Sequence, residues 1–464
     1  MTAAVAWIAA ATTALHLATA NLWGYHRDEF YYLACGRRLA WGFVDHPPVT
    51  PALYRLADLT VGSSKLGLRL VPAALHGGTV VLIALLAREL GGSTRAQLLA
   101  AIATALAPML LTTGHFLGTV TVEVAVGAGL ALVVVRIVNG GDHRLWLVAG
   151  ALVGLGLMNK WTFAFGVAGL AVGLLVGNRD ALATPWLLAG AALALAVWAP
   201  NLWWQAHHGW PQIEFAGSLR DYGQTPLVIP AQLFLLGAGA ILAVPGIRWL
   251  AADTAGRPYR FLLIAVVVAL VATLVTGGKP YYTASVLPVL LAAGAVALDG
   301  SRSWVLPAVV VAVGVLLVPL SIPVGPRATA RTLRAVNPEL GEMVGWEDLA
   351  AQARSLHTRY PQAGILATNY SEAGAIELLA PDLPQPASGH NSYWDWGPPA
   401  GDPDAVIAFA RDRAPLDAAF ASVVRIATVR SPDGVHNLED GTPIWLASGR
   451  RRPWSALWPS FRRV

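Results

Sequence analysis

Apolar runs long enough to cross a bilayer recur along the first 322 residues, and the polar residues collect between them. Eleven runs stand out, at roughly 3–20, 67–88, 96–113, 118–137, 144–158, 161–177, 184–200, 229–250, 260–276, 281–298 and 304–322. Each is near the ~17–25 residues that a spanning helix needs, the fifth being short. The pattern predicts a polytopic α-helical membrane protein. The first run ends in Ala18-Thr19-Ala20, a small-residue pattern like a cleavage site. No Lys or Arg precedes it, so it reads as a retained membrane helix.

With the N-terminus in the cytoplasm, alternate connections carry Arg88, Arg95, Arg136, Arg144, Arg179, Arg248, Arg257, Arg260 and Arg302. The positive-inside rule makes that face cytoplasmic. The opposite face receives the 21–66 loop, short links at 114–117, 159–160 and 277–280, the 201–228 loop and everything after 322. Asp28, Glu29, Asp45, His46, His115, Glu123, Lys160, His207, His208, Glu214, Asp221 and Lys279 fall there. A transporter needs a site reached from both faces and usually shows internal repeats. Chemistry confined to one face points instead to an enzyme at the outer leaflet, with a lipid-linked sugar flippase or exporter as the alternative.

After Pro326 charges, Pro and Asn become frequent. Strand-like runs at Ala363–Thr368, Ala405–Phe409, Val423–Val429 and Pro443–Ala447 alternate with helical ones at Glu347–Tyr360 and Ser371–Leu379. This predicts a small extracytoplasmic α/β domain over 323–464, behind a membrane domain over 1–322. Within it, Asn391-Ser392-Tyr393-Trp394-Asp395-Trp396-Gly397 reads either as a structural turn packed by its Trp residues or as an acceptor contact.

Composition sharpens the class. The 464 residues are 55% hydrophobic and only 13% charged, about half the ~25% of soluble chains. Mean hydropathy is +0.54. These values exclude a soluble enzyme, a disordered chain and a nucleic-acid binder. The net charge of +5 resides in short loops, as membrane insertion requires. A lone Cys35 rules out an internal disulfide and a cysteine metal cluster. Only three of the 32 basic residues are Lys: Lys65, Lys160 and Lys279. A composition rich in Ala, Gly, Arg, Pro and Trp fits a GC-rich genome that replaces Lys by Arg, so these three positions favour a compact ammonium.

The 21–66 loop carries the most chemistry. Asp28-Glu29-Phe30-Tyr31-Tyr32 follows the first helix, and Asp45-His46-Pro47-Pro48 comes later in the same loop. A carboxylate shielded by aromatic rings can serve as a general base. His46, His115, His207 and His208, with Asp45 or Glu214, lack the short helical spacing of a zinc site. A divalent ion is left open, with Asp45, His207 and His208 near it or near an acceptor. No Gly-rich phosphate loop occurs in a strand-turn-helix context, which excludes ATP and nucleotide-sugar binding in the cytoplasm.

Five motifs occur in order: Asp28-Glu29, Asp45-His46-Pro47-Pro48-Val49, Gly156-Leu157-Met158-Asn159-Lys160-Trp161, Pro200-Asn201-Leu202-Trp203-Trp204 and Gly278-Lys279-Pro280-Tyr281-Tyr282. Together they resemble the GT-C glycosyltransferases, in particular the protein O-mannosyltransferase and lipid A aminoarabinose transferase superfamily. The resemblance implies a GT-C fold in the plasma membrane and a polyprenyl-phosphate sugar as donor, on decaprenyl or undecaprenyl. An actinobacterial-type source would favour decaprenyl. It further implies transfer with inversion to an extracytoplasmic acceptor.

By that resemblance Asp28 is the catalytic base and Glu29 its companion. Lys160, Lys279, Tyr281, Tyr282 and His46 would lie by the donor phosphate. Two departures weaken a transfer of the aminoarabinose substrate. His46 stands where those enzymes carry Lys, and Tyr31 stands where they carry Arg.

Overall fold

The computed structural model describes residues 2–218, 225–301 and 303–464; Asp221 and Arg302 lie outside them. The chain divides into two compact units. One comprises Met1–Ala20 and His46–Ile322, the other Asn21–Asp45 and Pro323–Val464.

The first unit is helical. It opens with α1 (Ala3–Thr19); α2 (Arg27–Arg37) belongs to the second unit. The first unit resumes with α3 (Val49–Thr60), α4 (Lys65–Glu89), α5 (Thr94–Ala105), α6 (Pro108–His115) and α7 (Thr119–Val138). There follow α8 (Leu145–Leu157), α9 (Phe163–Gly177), α10 (Pro185–His207), α11 (Pro211–Ser218), α12 (Val228–Leu236), α13 (Ala240–Ala252), α14 (Arg260–Val275), α15 (Val289–Ala297) and α16 (Val305–Leu317). Among the described residues, five segments are each long and apolar enough to cross a membrane: Lys65–Glu89, Thr119–Val138, Pro185–His207, Thr225–Ala252 and Arg257–Val275. The α5–α6 pair makes a sixth if counted as one span, and four shorter apolar helices accompany them.

The breaks have local causes. Between α5 and α6 the axis bends by 59° where Pro108 opens α6, because the residue before a proline avoids helical angles. Between α12 and α13, Gly237 takes a φ of +53°, a conformation that only glycine adopts readily. The expected span at 281–298 is helical only over Val289–Ala297. Pro280–Thr283 is a 3-10 turn and the residues up to 288 are turns, with Pro280 and Pro288 each interrupting a continuous helix. Helices close on one another through glycine. At Gly150 of α8 an added Cβ would lie 2.0 Å from the Gly190 carbonyl oxygen of α10.

The second unit is α/β. Five strands, β1 (Gly364–Ala367), β2 (Ala387–Ser388), β3 (Ala405–Phe409), β4 (Phe420–Thr428) and β5 (Pro443–Arg450), form one sheet in the order β2-β1-β3-β5-β4. Strand β1 is parallel to β2 and β3, whereas β5 is antiparallel to β3 and β4. The four sequence-predicted strands are present, and β2 adds a short fifth. The one-turn α17 (Ala330–Leu333), then α18 (Trp346–Arg359), α19 (Tyr370–Leu379), α20 (Ala414–Ala419) and α21 (Trp454–Leu457) complete the unit.

Residues 21–45, which the sequence places with the membrane domain, pack into this second unit. The physical reason lies in α2. Its apolar face, Tyr31, Ala34 and Cys35, joins Ala367, Tyr370, Ala373 and Tyr393 in one buried cluster. Gly374 of α19 also lets the Phe30 backbone approach closely. Burying such rings stabilises by about 1.5–3 kcal/mol each.

Candidate functional site

In the second unit, α2 is capped by His26, whose Nδ1 accepts from the Asp28 backbone N–H at 3.2 Å. Glu29 reaches back to accept from the His26 N–H at 2.6 Å. The two side chains form a reciprocal cap that fixes the first helical turn. Glu29 is buried, and its role here is to hold that turn. Asp28 sits on the turn, partly exposed. The Tyr370 hydroxyl donates to its Oδ1 at 2.9 Å, Arg27 Nη2 donates to the Tyr370 oxygen at 2.9 Å, and Arg27 Nε lies 3.3 Å from the same Oδ1.

His26 Nε2 donates to Glu339 at 2.8 Å. Burial alone would pull the imidazole down, but the Glu339 hydrogen bond and the Asp28 and Glu339 charges leave it raised. Glu339 is half-exposed, so the His26 bond outweighs its desolvation and holds the carboxyl low. Burial pushes Glu342 up to about 7, against the pull of Arg27 and His26. Burial and the neighbouring Glu439 push Glu372 well up, and burial raises Glu439. Among these carboxyls, Asp28 takes an arginine and a tyrosine as direct partners.

Asp45 accepts from the Tyr31 hydroxyl at 2.6 Å. That oxygen in turn accepts from the Ser392 N–H at 3.3 Å, and Ser392 Oγ accepts from the Val44 N–H at 3.0 Å. Trp394 and Trp458 exchange indole-to-carbonyl bonds. The 391–397 loop is therefore built as a packed structural turn.

In the first unit, four of the five motifs converge. The Val49 N–H donates to the Met158 carbonyl at 3.1 Å, and Thr50 Oγ1 donates to Asn159 Oδ1 at 2.7 Å. Asn159 Nδ2 donates to the Thr119 carbonyl at 2.7 Å. Trp161 Nε1 donates to Asn201 Oδ1 at 2.9 Å. These bonds lock the turn that presents Lys160. Its Nζ lies 4.6 Å from the Tyr281 ring centre and 4.5 Å from that of Tyr282, a geometry in which ring quadrupoles favour a cation. Lys279 Nζ is 6.0 Å from the Tyr281 ring. The fully buried Glu123 of α7 places Oε2 3.9 Å from Lys160 Nζ and Oε1 3.4 Å from Thr162 Oγ1. Two ammonium groups among aromatic faces, with one carboxylate, suit a phosphate headgroup.

His46 is buried at the start of this unit, with Nδ1 donating to the Pro47 carbonyl at 2.9 Å. His207 and His208 end α10 exposed, each with Nδ1 on the carbonyl four residues back at 2.8 Å. Among the described residues no three His, Cys, Asp or Glu side chains gather as a metal ligand set, so no step here is routed through a metal.

Of a second polar cluster in the helices, sequence reasoning singled out only His115. His76 Nε2 donates to the Thr104 carbonyl, and its Nδ1 shares a hydrogen bond with His16 Nε2 at 2.8 Å. The fully buried Arg69 donates to the Ala20 carbonyl at 2.6 Å and to His115 Nε2 at 3.0 Å. Polar residues seven apart on α4, Arg69 and His76, were the available signal.

Residues 45–204 match the profile of the dolichyl-phosphate-mannose-protein mannosyltransferase family. That segment includes Asp45, His46, Glu123, Lys160 and Asn201. In fold, ArnT from Cupriavidus metallidurans bound to undecaprenyl phosphate superposes with a TM-score of 0.65, 14% identity, 96% of this chain and 97% of that one covered. The chain has a GT-C fold. The apo state of the same ArnT matches with a TM-score of 0.65 at 16% identity, over 96% of this chain and 97% of that one.

The archaeal oligosaccharyltransferase AglB from Archaeoglobus fulgidus, in complex with an inhibitory peptide and a dolichol-phosphate, shares the GT-C fold more distantly. Its TM-score is 0.50 at 15% identity, over 82% of this chain and 63% of that one. No curated protein matches the chain in sequence. The fold class read from the motifs, a polytopic helical membrane part of GT-C type with a C-terminal α/β unit, is borne out.

Proposed function

We propose that this chain is a multi-pass membrane glycosyltransferase that moves one sugar from a polyprenyl-phosphate-linked donor to an acceptor outside the cytoplasm. The observation that carries the reading is the Lys160 ammonium, held between Tyr281, Tyr282 and the buried Glu123 with Lys279 beside it. A mostly shielded cation that is only loosely paired is a ready partner for an anionic headgroup. The ArnT that shares this fold binds undecaprenyl phosphate, which supports a polyprenyl phosphate here.

In the proposed reaction Asp28 takes the proton of the acceptor hydroxyl as that oxygen attacks the anomeric carbon. The bond from that carbon to the phosphate oxygen breaks with inversion, and the electron pair leaves on the polyprenyl phosphate. The phosphate thereby gains one negative charge, which Lys160 and Lys279 stabilise. No proton need reach the leaving group.

The test is a transfer assay with purified protein in lipid, offering a panel of radiolabelled polyprenyl-phosphate sugars on decaprenyl and undecaprenyl carriers. Release of the lipid phosphate from one donor, with its sugar on an added acceptor, supports the reading and names the sugar. Movement of a donor between leaflets without turnover replaces the reading with a flippase.

A further inference from the structure

Asp28 belongs to the α/β unit through residues 21–45. The 323–464 segment has no role in the reading above, yet one of its residues is bonded directly to the proposed base. We infer that Tyr370 is a positioning residue for Asp28, so that the 323–464 segment shares in the catalytic machinery. The inference rests on Asp28 being the base.

Tyr370 is placed rigidly. It is the first residue of α19, behind an Asn369 cap whose Oδ1 accepts from the Ser371 N–H at 3.1 Å. Glu372 closes the box from the other side, accepting from the Thr368 and Asn369 N–H groups at 3.1 Å each. The Tyr370 ring stacks on Tyr31 at 4.5 Å and leans on His390 at 4.9 Å. With backbone and ring both fixed, the hydroxyl has little freedom, and a single committed geometry costs little entropy on use. Burial and the charge of Asp28 keep this hydroxyl well above its ordinary value, so it remains a protonated donor.

The direction of the bonds decides what Tyr370 does. Arg27 donates to the tyrosine oxygen, and the tyrosine donates on to Asp28 Oδ1. Each donation polarises the next, so the relay strengthens the bond that reaches the carboxylate. Arg27 Nε is directed at the same Oδ1. Both partners on one oxygen fix the plane of the carboxylate, and both favour its ionised form. The charged and titratable groups that face Asp28 include Arg27 of α2, its cap His26, Tyr370 from α19, and Glu339 from the 3-10 turn Pro338–Met343. Tyr370 can be altered without changing a charge.

Tyr370→Phe deletes one oxygen and retains the stack on Tyr31. The experiment measures kcat, donor KM and the pH profile of kcat for wild type, Tyr370→Phe, Arg27→Gln and Asp28→Asn, each as full chain in lipid. For Tyr370→Phe the expected result is a fall in kcat with donor KM within twofold. The acid limb of the profile should move up by about 0.5–1 pH unit, since a lost hydrogen bond weakens the ionised carboxylate.

Arg27→Gln should move the limb in the same direction through its own contact with Asp28 Oδ1, and 3-fluorotyrosine at position 370, which changes only the donor's acidity, reads the tyrosine if Tyr370→Phe does not fold. An acid limb unmoved by the change at Tyr370, with Asp28→Asn inactive, overturns the inference and leaves the base in place. A fully active Asp28→Asn overturns the base reading itself, and the inference with it.

Discussion

Lys160 Nζ stands 3.9 Å from Glu123 Oε2 and 4.5 Å over the ring of Tyr282, so this ammonium is embedded but not saturated. A carboxylate at that distance attracts without forming the short bidentate contact that would close the site. Lys160→Met should therefore raise donor KM by about tenfold or more, which is ~1.4 kcal/mol of lost headgroup attraction. Steady-state kinetics against a single polyprenyl-phosphate donor checks this. An unchanged donor KM would place the phosphate elsewhere.

Asn159 ties three segments together from a fully buried position, accepting from Thr50 and donating to the Thr119 carbonyl. Asn159→Ala leaves both partners without their bond, at a cost of about 1–3 kcal/mol. The expected result is a lower melting temperature in detergent. Donor affinity should fall with it, because the same turn presents Lys160.

The close approach of α8 and α10 sets a further test. A Cβ at Gly150 would meet the Gly190 carbonyl oxygen at 2.0 Å, so Gly150→Ala must push the helices apart. We expect a loss of about 1–3 kcal/mol, the usual range for overpacking a filled interior, read as a lowered thermal midpoint at unchanged pH dependence.

The pH dependence of the C-terminal unit follows from its buried acids. Glu342 has its carboxyl raised to about 7, so stability is lost as pH climbs from the ordinary carboxylate range toward 7. Full ionisation costs at most about 3 kcal/mol. The raised His26 adds stability that is complete below its ordinary value of 6.5 and lost as pH rises through the shifted one. The lowered Glu339 adds stability that is present above 4.5 and lost as pH falls below it. The unit should thus be most stable at about pH 4.5–5 and lose stability toward pH 8. Melting curves of wild type and Glu342→Gln at pH 5 and pH 8 test this; the variant should gain only at pH 8.

The span pattern was legible because the bilayer imposes length and apolarity on every crossing, whatever its neighbours. The turns from Pro280 to Pro288 were misread as helix because apolar composition there hides two prolines that interrupt it. Lys160 was legible through its rarity and its place between two apolar runs. Glu123 was visible only as a polar residue, since its pairing depends on α7 and the Asn159 turn meeting in three dimensions.

Tyr370 carried no signal at all. Nothing in a sequence 342 residues apart announces that a helix of the C-terminal unit will bond to the acid behind the first span. Residues 21–45 were assigned to the membrane domain for the same reason, because chain adjacency was the only guide to their packing.

The measurement that tests the central claim most directly is sugar transfer by Asp28→Asn and wild type in the same lipid, from the donor that wild type uses. The account predicts a loss of about a hundred- to ten-thousandfold in turnover, the scale of a lost general base, with donor binding retained. Turnover equal to wild type would contradict it.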